Sequence, residues 1–177
     1  MICPACGGRD FARATLEGGL PADSCNSCHG VWVELDRYKH WRKSMPQASA
    51  REHVGELGES NSPVRLCPVS GRIMTRVRVA NADPLLLDYS APAQAVWFDQ
   101  GEWERLVALG LHAQLDAIVS DKWQAGLKLA ASQARIERAM RVRFGDAGYE
   151  RLAAMRTWLT EQPNRSEMIA FLHSKTD

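Results

Sequence analysis

The feature that most constrains this chain is a pair of short cysteine repeats near its start. Cys3-x2-Cys6 and Cys25-x2-Cys28 are separated by eighteen residues. A two-residue gap lets one tight turn bring both sulfurs of a pair to a single ion. Two such turns facing each other supply four thiolates, the soft tetrahedral set that zinc prefers in closed sites. Gly7, directly after Cys6, can take the open backbone conformation that lets nearby N–H groups point at the sulfurs. His29-Gly30 is expected to close the second turn in the same way. A redox dithiol would place one CxxC at a helix N-terminus after a buried strand, and Cys3 lies too near the start of the sequence for that. A disulfide framework calls for export, and the opening MICPACGG has no basic region followed by an apolar stretch. The spacing therefore predicts one structural zinc per chain on Cys3, Cys6, Cys25 and Cys28. His29 is read as a surface or supporting residue, because four cysteines already fill the site.

The stretch CPACGG…CNSCHGVWVELD resembles the transcription factor IIB-type zinc ribbons of small bacterial proteins. In those the second knuckle is followed by His-Gly-Val-Trp, an acidic residue and a short helix. The resemblance covers residues 1–42 and implies a small zinc-ribbon β module with the same four cysteines as ligands. The tail departs slightly, reading WVELDRYKHW where the family usually has Trp-Leu-Asp-x-Gly-Glu. The resemblance also implies a bacterial protein.

A second segment repeats the pattern without its metal. Set against the first, CPVSGR…SAPAQAVWFDQGEW places Cys67 at Cys3, Ser70 at Cys6, Gly71 at Gly7 and Trp97 at Trp32. Counted back from the tryptophans, Ser90 falls on Cys25 and Ala93 on Cys28, so residues 63–110 read as a degenerate ribbon with one ligand left. Its strands are well patterned, since Ile73, Thr75, Val77 and Val79 alternate with Met74, Arg76 and Arg78. Asp99 followed by Glu102 signals a helix start, and Gly110 a stop. Cys67 is read as a buried or free thiol. Residues 43–62, rich in small polar residues and without periodicity, read as a linker. Loss of zinc is then expected to unfold residues 1–42 and to leave the rest, which shares a core with the helices that follow.

Residues 111–177 read as a helical region. Leu115, Ile118, Trp123, Ile136, Met140 and Phe144 fall on one side of a helical wheel, and Tyr149, Leu152, Met155, Trp158 and Leu159 on one side of the next helix. These stripes are expected to be core packing. Between Lys122 and Arg156 there are eight basic and three acidic residues, and Lys128, Arg135 and Arg138 lie opposite the apolar stripe. That face suits either solvent or nucleic acid.

The expected architecture is therefore α+β: ribbon, linker, metal-free ribbon and helices. The net charge of +1 gives no global attraction to nucleic acid or to a membrane surface. No phosphate loop, HExxH or GxSxG motif is present, and the five histidines have no ligand spacing. A four-thiolate zinc also has no open position for water. The sequence thus points to a non-enzymatic, cytoplasmic zinc-binding adaptor for a protein partner. A nucleic-acid factor using Lys128, Arg135 and Arg138 is the alternative. Residues 1–42 carry five basic and five acidic groups, which favours the protein partner.

Overall fold

The computed structural model describes residues 1–44, 63–83 and 85–174. Most of the segment read as a linker, 45–62, lies outside the described residues. The chain forms two compact units, Met1–Ala131 and Ser132–Asp177.

Three short strands of the first unit come from the cysteine-rich segment: β1 (Phe11–Thr15), β2 (Pro21–Cys25) and β3 (Val31–Glu34). They lead into helix α1 (Leu35–Lys43). The second segment gives β4 (Thr75–Arg78), β5 (Leu86–Ser90), β6 (Ala95–Phe98) and helix α2 (Glu102–Ala108). All six strands join in one antiparallel sheet of order β1-β2-β3-β6-β5-β4. The seam is β3 against β6, where Trp32 lies opposite Trp97 and Val33 opposite Val96. The two segments, which look like separate modules in sequence, each supply half of one sheet. The expectation that zinc loss would unfold residues 1–42 alone loses its basis, because β3 is an interior strand of that sheet.

Side chains alternate across a strand, and here both faces are covered. Val31, Val33, Val96 and Phe98 enter one core with Tyr38 and Trp41 of α1, Trp103 and Leu106 of α2, and Leu115 and Ile118. Trp32 and Trp97 point to the opposite face, where they cluster with Cys3, Cys25, Cys67 and Met74. Rings tie the helices to the first face: Phe98 meets Trp103 edge-on at 5.6 Å, and Trp41 meets Trp103 at 6.0 Å. The Tyr38 hydroxyl donates to the His112 carbonyl and accepts the Leu115 N–H, both at 3.0 Å. Burial pushes that hydroxyl's pKa up to about 12, so it stays a neutral donor.

Leu115 belongs to a short helix α3 (Leu115–Ile118), followed by α4 (Asp121–Phe144). Ser120 separates them, its Oγ accepting the Trp123 N–H at 3.2 Å as an N-cap. The first turn of α4 then closes the β4 edge of the sheet. The Gln124 amide accepts the Arg78 N–H at 3.0 Å and donates to the Arg78 carbonyl at 2.8 Å, as a neighbouring strand would. Trp123 donates its Nε1–H to the Val79 carbonyl at 3.1 Å.

An ionic group links the two segments. The Arg65 Nε forms an ion pair with Asp88 at 3.3 Å, another guanidinium nitrogen pairs with Asp99, and the third donates to the Pro4 carbonyl at 3.2 Å. Asp99 accepts the Trp97 Nε1–H at 2.8 Å, and its own N–H donates to Glu102 at 2.8 Å, closing the helix-start signal read in the sequence. Burial raises Asp88 above the ordinary carboxylate range despite Arg76 and Arg65. It lifts Glu102 further, to about 7, helped by the Asp99 and Asp88 charges and opposed by the Asp99 N–H.

The second unit comprises the C-terminal part of α4, α5 (Asp146–Thr160) and α6 (Arg165–His173). Arg141 gathers Glu150 at 2.6 Å, Glu137 at 2.8 Å and Asp146 at 3.4 Å, and lies 4.3 Å above the Tyr149 ring. The apolar stripes expected to pack as core are buried at Leu115, Ile118 and Leu159, and Trp123 packs half-buried against the core of the first unit. In the second unit Leu159 is the one buried side chain among the described residues, while Ile136 is 55% and Trp158 51% exposed. A periodic pattern fixes which side of a helix is apolar, but it does not say what covers that side.

Two predictions follow from this packing. A Cβ on Gly30 would lie 2.2 Å from the Trp97 ring, whereas one on Gly126, inside α4, would meet nothing within 4 Å. Gly30→Ala should therefore cost about 1–3 kcal/mol by overpacking, and Gly126→Ala should stabilise by up to about 1 kcal/mol through helix propensity; denaturant titration measures both. Glu102 has a raised folded pKa, so its contribution is most favourable below the ordinary value of 4.5 and is lost as pH rises through about 7. Glu102→Gln should accordingly raise the melting temperature at pH 8 and change it little at pH 5.

Candidate metal centre

The first knuckle closes on its own backbone. Cys3 donates its N–H to the Gly8 carbonyl at 2.7 Å and accepts the Gly7 N–H at 2.9 Å. Gly7 has φ +75°, the left-handed conformation a side chain resists. At Gly8 the constraint is space: a Cβ there would lie 3.3 Å from the Cys6 sulfur and 3.8 Å from that of Cys25. The second knuckle begins where β2 ends. Cys25 donates to the Gly30 carbonyl and accepts the His29 N–H, both at 2.9 Å, and His29 takes φ +58° to turn the chain into β3.

These turns bring all four sulfurs within 4.8 Å of one another. Cys3 and Cys28 approach to 3.4 Å and Cys6 and Cys25 to 3.6 Å. Zinc–sulfur bonds of about 2.3 Å in a tetrahedron imply sulfur–sulfur edges of about 3.8 Å, so the four thiols fit the ion with small adjustments. Cys3 and Cys25 are buried, Cys28 is half-buried and Cys6 is exposed. Burial pushes the Cys3 thiol up to about 12, against the pull of the Cys6 and Ala5 N–H groups. At Cys25 burial also opposes ionisation, but the Cys28 and Ser27 N–H groups outweigh it and bring the thiol down to about 7. Zn²⁺ supplies the positive charge that ionises all four thiols together, and a coordinating thiol gives up its proton.

The structure thus brings together Cys3, Cys6, Cys25 and Cys28, the full set expected from spacing. His29 lies outside that cluster and is exposed. Cys67 is buried in a turn of its own, where its sulfur accepts the Ser70 N–H at 3.4 Å. Burial disfavours the Cys67 thiolate, yet the Ser70 and Ser90 hydroxyls and nearby N–H groups prevail and lower its pKa. Lys128 belongs to the first unit and lines a groove of about 340 Å³ with Arg76 and Arg78, while Arg135 and Arg138 belong to the second. All three residues singled out from the sequence are exposed. Sequence reasoning missed the Arg65–Asp88–Asp99 group that backs the site through Pro4; charged residues far apart in the chain gave no local pattern to find it by.

Residues 2–44 match the family described as transcription factor zinc-finger. This segment is a transcription factor IIB-type zinc ribbon. No curated protein and no solved structure matches the chain. The ribbon and its four clustered cysteines support one structural zinc.

Protein purified without added zinc should hold one ion per chain by metal analysis. Cys28→Ser should release it, and Cys67→Ser should leave the stoichiometry unchanged. Because β3 and β6 share a sheet, a chelator should raise hydrogen exchange in β5 and β6 as well as in β1–β3. Loss of protection confined to residues 1–44 would contradict that coupling.

Proposed function

We propose that the protein is a non-catalytic, cytoplasmic adaptor: a zinc-pinned sheet that carries helices for a protein partner. The supporting observation is the surface of the second unit. Met155, Trp158, Met168, Phe171 and Leu172 line an open groove of about 840 Å³ between α5 and α6. Trp158 is 51%, Phe171 76% and Leu172 58% exposed. Contiguous apolar surface around a central tryptophan suits a protein interface. A compartment that keeps thiols reduced suits five free cysteines. No described helix is long and apolar enough to cross a membrane. A closed four-thiolate zinc supports a structural rather than a catalytic metal. Residues 63–110 we read as the second, metal-free ribbon, a structural partner of the first within the same sheet.

Nucleic-acid association is the second reading, favoured by the exposure of Lys128, Arg135 and Arg138. Phosphate contacts give affinity that falls steeply with salt. Fluorescence anisotropy with duplex and single-stranded oligonucleotides should show weak binding at low salt and none at physiological salt. Submicromolar binding at physiological salt, lost on changing those three residues to Ala, would replace the adaptor reading. On the adaptor reading, Trp158→Glu should abolish co-purification of a cellular partner, and the triple alanine variant should retain it.

A further inference from the structure

We infer that residues 67, 70, 90 and 93 form a vacated zinc cage, its geometry kept and its metal replaced by hydrogen bonds, so that thiols at three positions would create a second zinc site. The inference rests on reading residues 63–110 as a ribbon. The first knuckles agree bond for bond. Cys67 donates to the Arg72 carbonyl at 2.7 Å and accepts the Gly71 N–H at 2.9 Å, matching the Cys3 bonds to Gly8 and Gly7. Gly71 has φ +68° where Gly7 has +75°. In the second knuckles β2 ends at Cys25 and β5 at Ser90. His29 and Gln94, at matching positions, are the only non-glycine residues of positive φ among those described, at 58° and 46°. One bond differs: Gln94 reaches back to the Ala91 carbonyl, whereas His29 reaches Cys25.

The sheet supplies an independent sign. One offset carries Val31 to Val96, Trp32 to Trp97 and Val33 to Phe98. Across the seam Trp32 faces Trp97, Val31 faces Phe98 and Val33 faces Val96. Each position therefore meets the counterpart of its own mirror position, the self-complementary pairing that a twofold axis produces. That axis runs through the Trp32–Trp97 pair. It relates the four-thiol cage to Cys67, Ser70, Ser90 and Ala93, and Cys3, Cys25 and Cys67 lie in the same cluster as the two tryptophans.

What occupies the second cage is a small polar network. Ser70 donates its N–H to the Cys67 sulfur, and its Oγ accepts the Arg72 N–H, both at 3.4 Å. The Ser90 Oγ accepts the Ala93 N–H at 3.4 Å, although Ser90 is only 2% exposed. N–H groups aimed at side-chain acceptors are what a knuckle uses to hold its thiolates in place. Here two of those acceptors are hydroxyls. Ser→Cys exchanges one oxygen for one sulfur, and Ala93 lies half-buried at the margin of the cluster, where a thiol can be added.

The test uses the full chain with Ser70→Cys, Ser90→Cys and Ala93→Cys together. Metal analysis should rise from one zinc per chain to two, and the cobalt-substituted protein should double its thiolate-to-cobalt absorbance. Adding Cys67→Ser should leave three thiolates there and weaken the second site, without affecting the first. If the triple variant is insoluble, Ser70→Cys with Ser90→Cys leaves Ala93 in place and should bind a second cobalt through three thiolates. A folded variant that stays at one metal under saturating cobalt would overturn the cage. Two zincs in the unmodified chain would instead overturn the reading of residues 63–110 as metal-free.

Discussion

The pairing of β3 with β6 is the interaction on which the rest of the first unit depends. It converts two three-stranded pieces into one six-stranded sheet, and neither piece is large enough to cover both of its faces. At the seam Val33, Val96, Trp97 and Phe98 are fully buried and Trp32 is 1% exposed. Burying a large apolar side chain is worth about 1.5–3 kcal/mol, so this short stretch carries a large part of the core's gain. Gly30 is part of the same arrangement. The Trp97 ring occupies the space a side chain there would need, bringing the second knuckle's backbone against the other segment.

The two faces are closed by different means. One takes helices: Tyr38 and Trp41 from α1 and Trp103 from α2 lie over the valines and Phe98. The other is covered by the knuckles, no helix among the described residues joins its cluster, and that cluster is small. Zinc suits that role because four bonds to one ion hold together turns that have little apolar surface of their own. Such sites supply on the order of 10 kcal/mol in comparable small modules. The β4–β5 half of the sheet carries no four-thiol cluster and is held from its edge instead. Gln124 completes the hydrogen bonding of Arg78, Trp123 reaches the Val79 carbonyl, and Asn81 donates to the Leu127 carbonyl at 2.8 Å.

Much of this was legible in the sequence, for physical reasons that differ by element. The zinc ligands were readable because a knuckle is local: spacing and a following glycine fix it without distant help. The alternation in β4 and the Asp99–Glu102 helix start were readable for the same reason. The seam was not. Val31, Trp32 and Val33 form a short continuous apolar run, which says that both faces are covered but not by what. Nor did the stripe beginning at Leu115 announce where its cover would end. Leu115 and Ile118 are buried and Ile136 and Met140 are not, although the same periodicity runs through all four.

That contrast bears on what the helices are for. A unit of this size that buries one leucine gains little apolar free energy against the entropy of ordering its backbone, about 1–2 kcal/mol per residue. Arg141 adds an ionic group, but it lies at the surface, where water and salt screen its pairs. The helices therefore have more to gain from a surface that covers Trp158 and Phe171 than from their own contacts. The sheet is in the opposite condition, buried on both faces and closed at its β4 edge by Gln124. Most of the buried apolar surface lies in the unit that holds the four thiols, whereas the second unit leaves Trp158, Phe171 and Leu172 open, and the proposed adaptor role rests on that open surface.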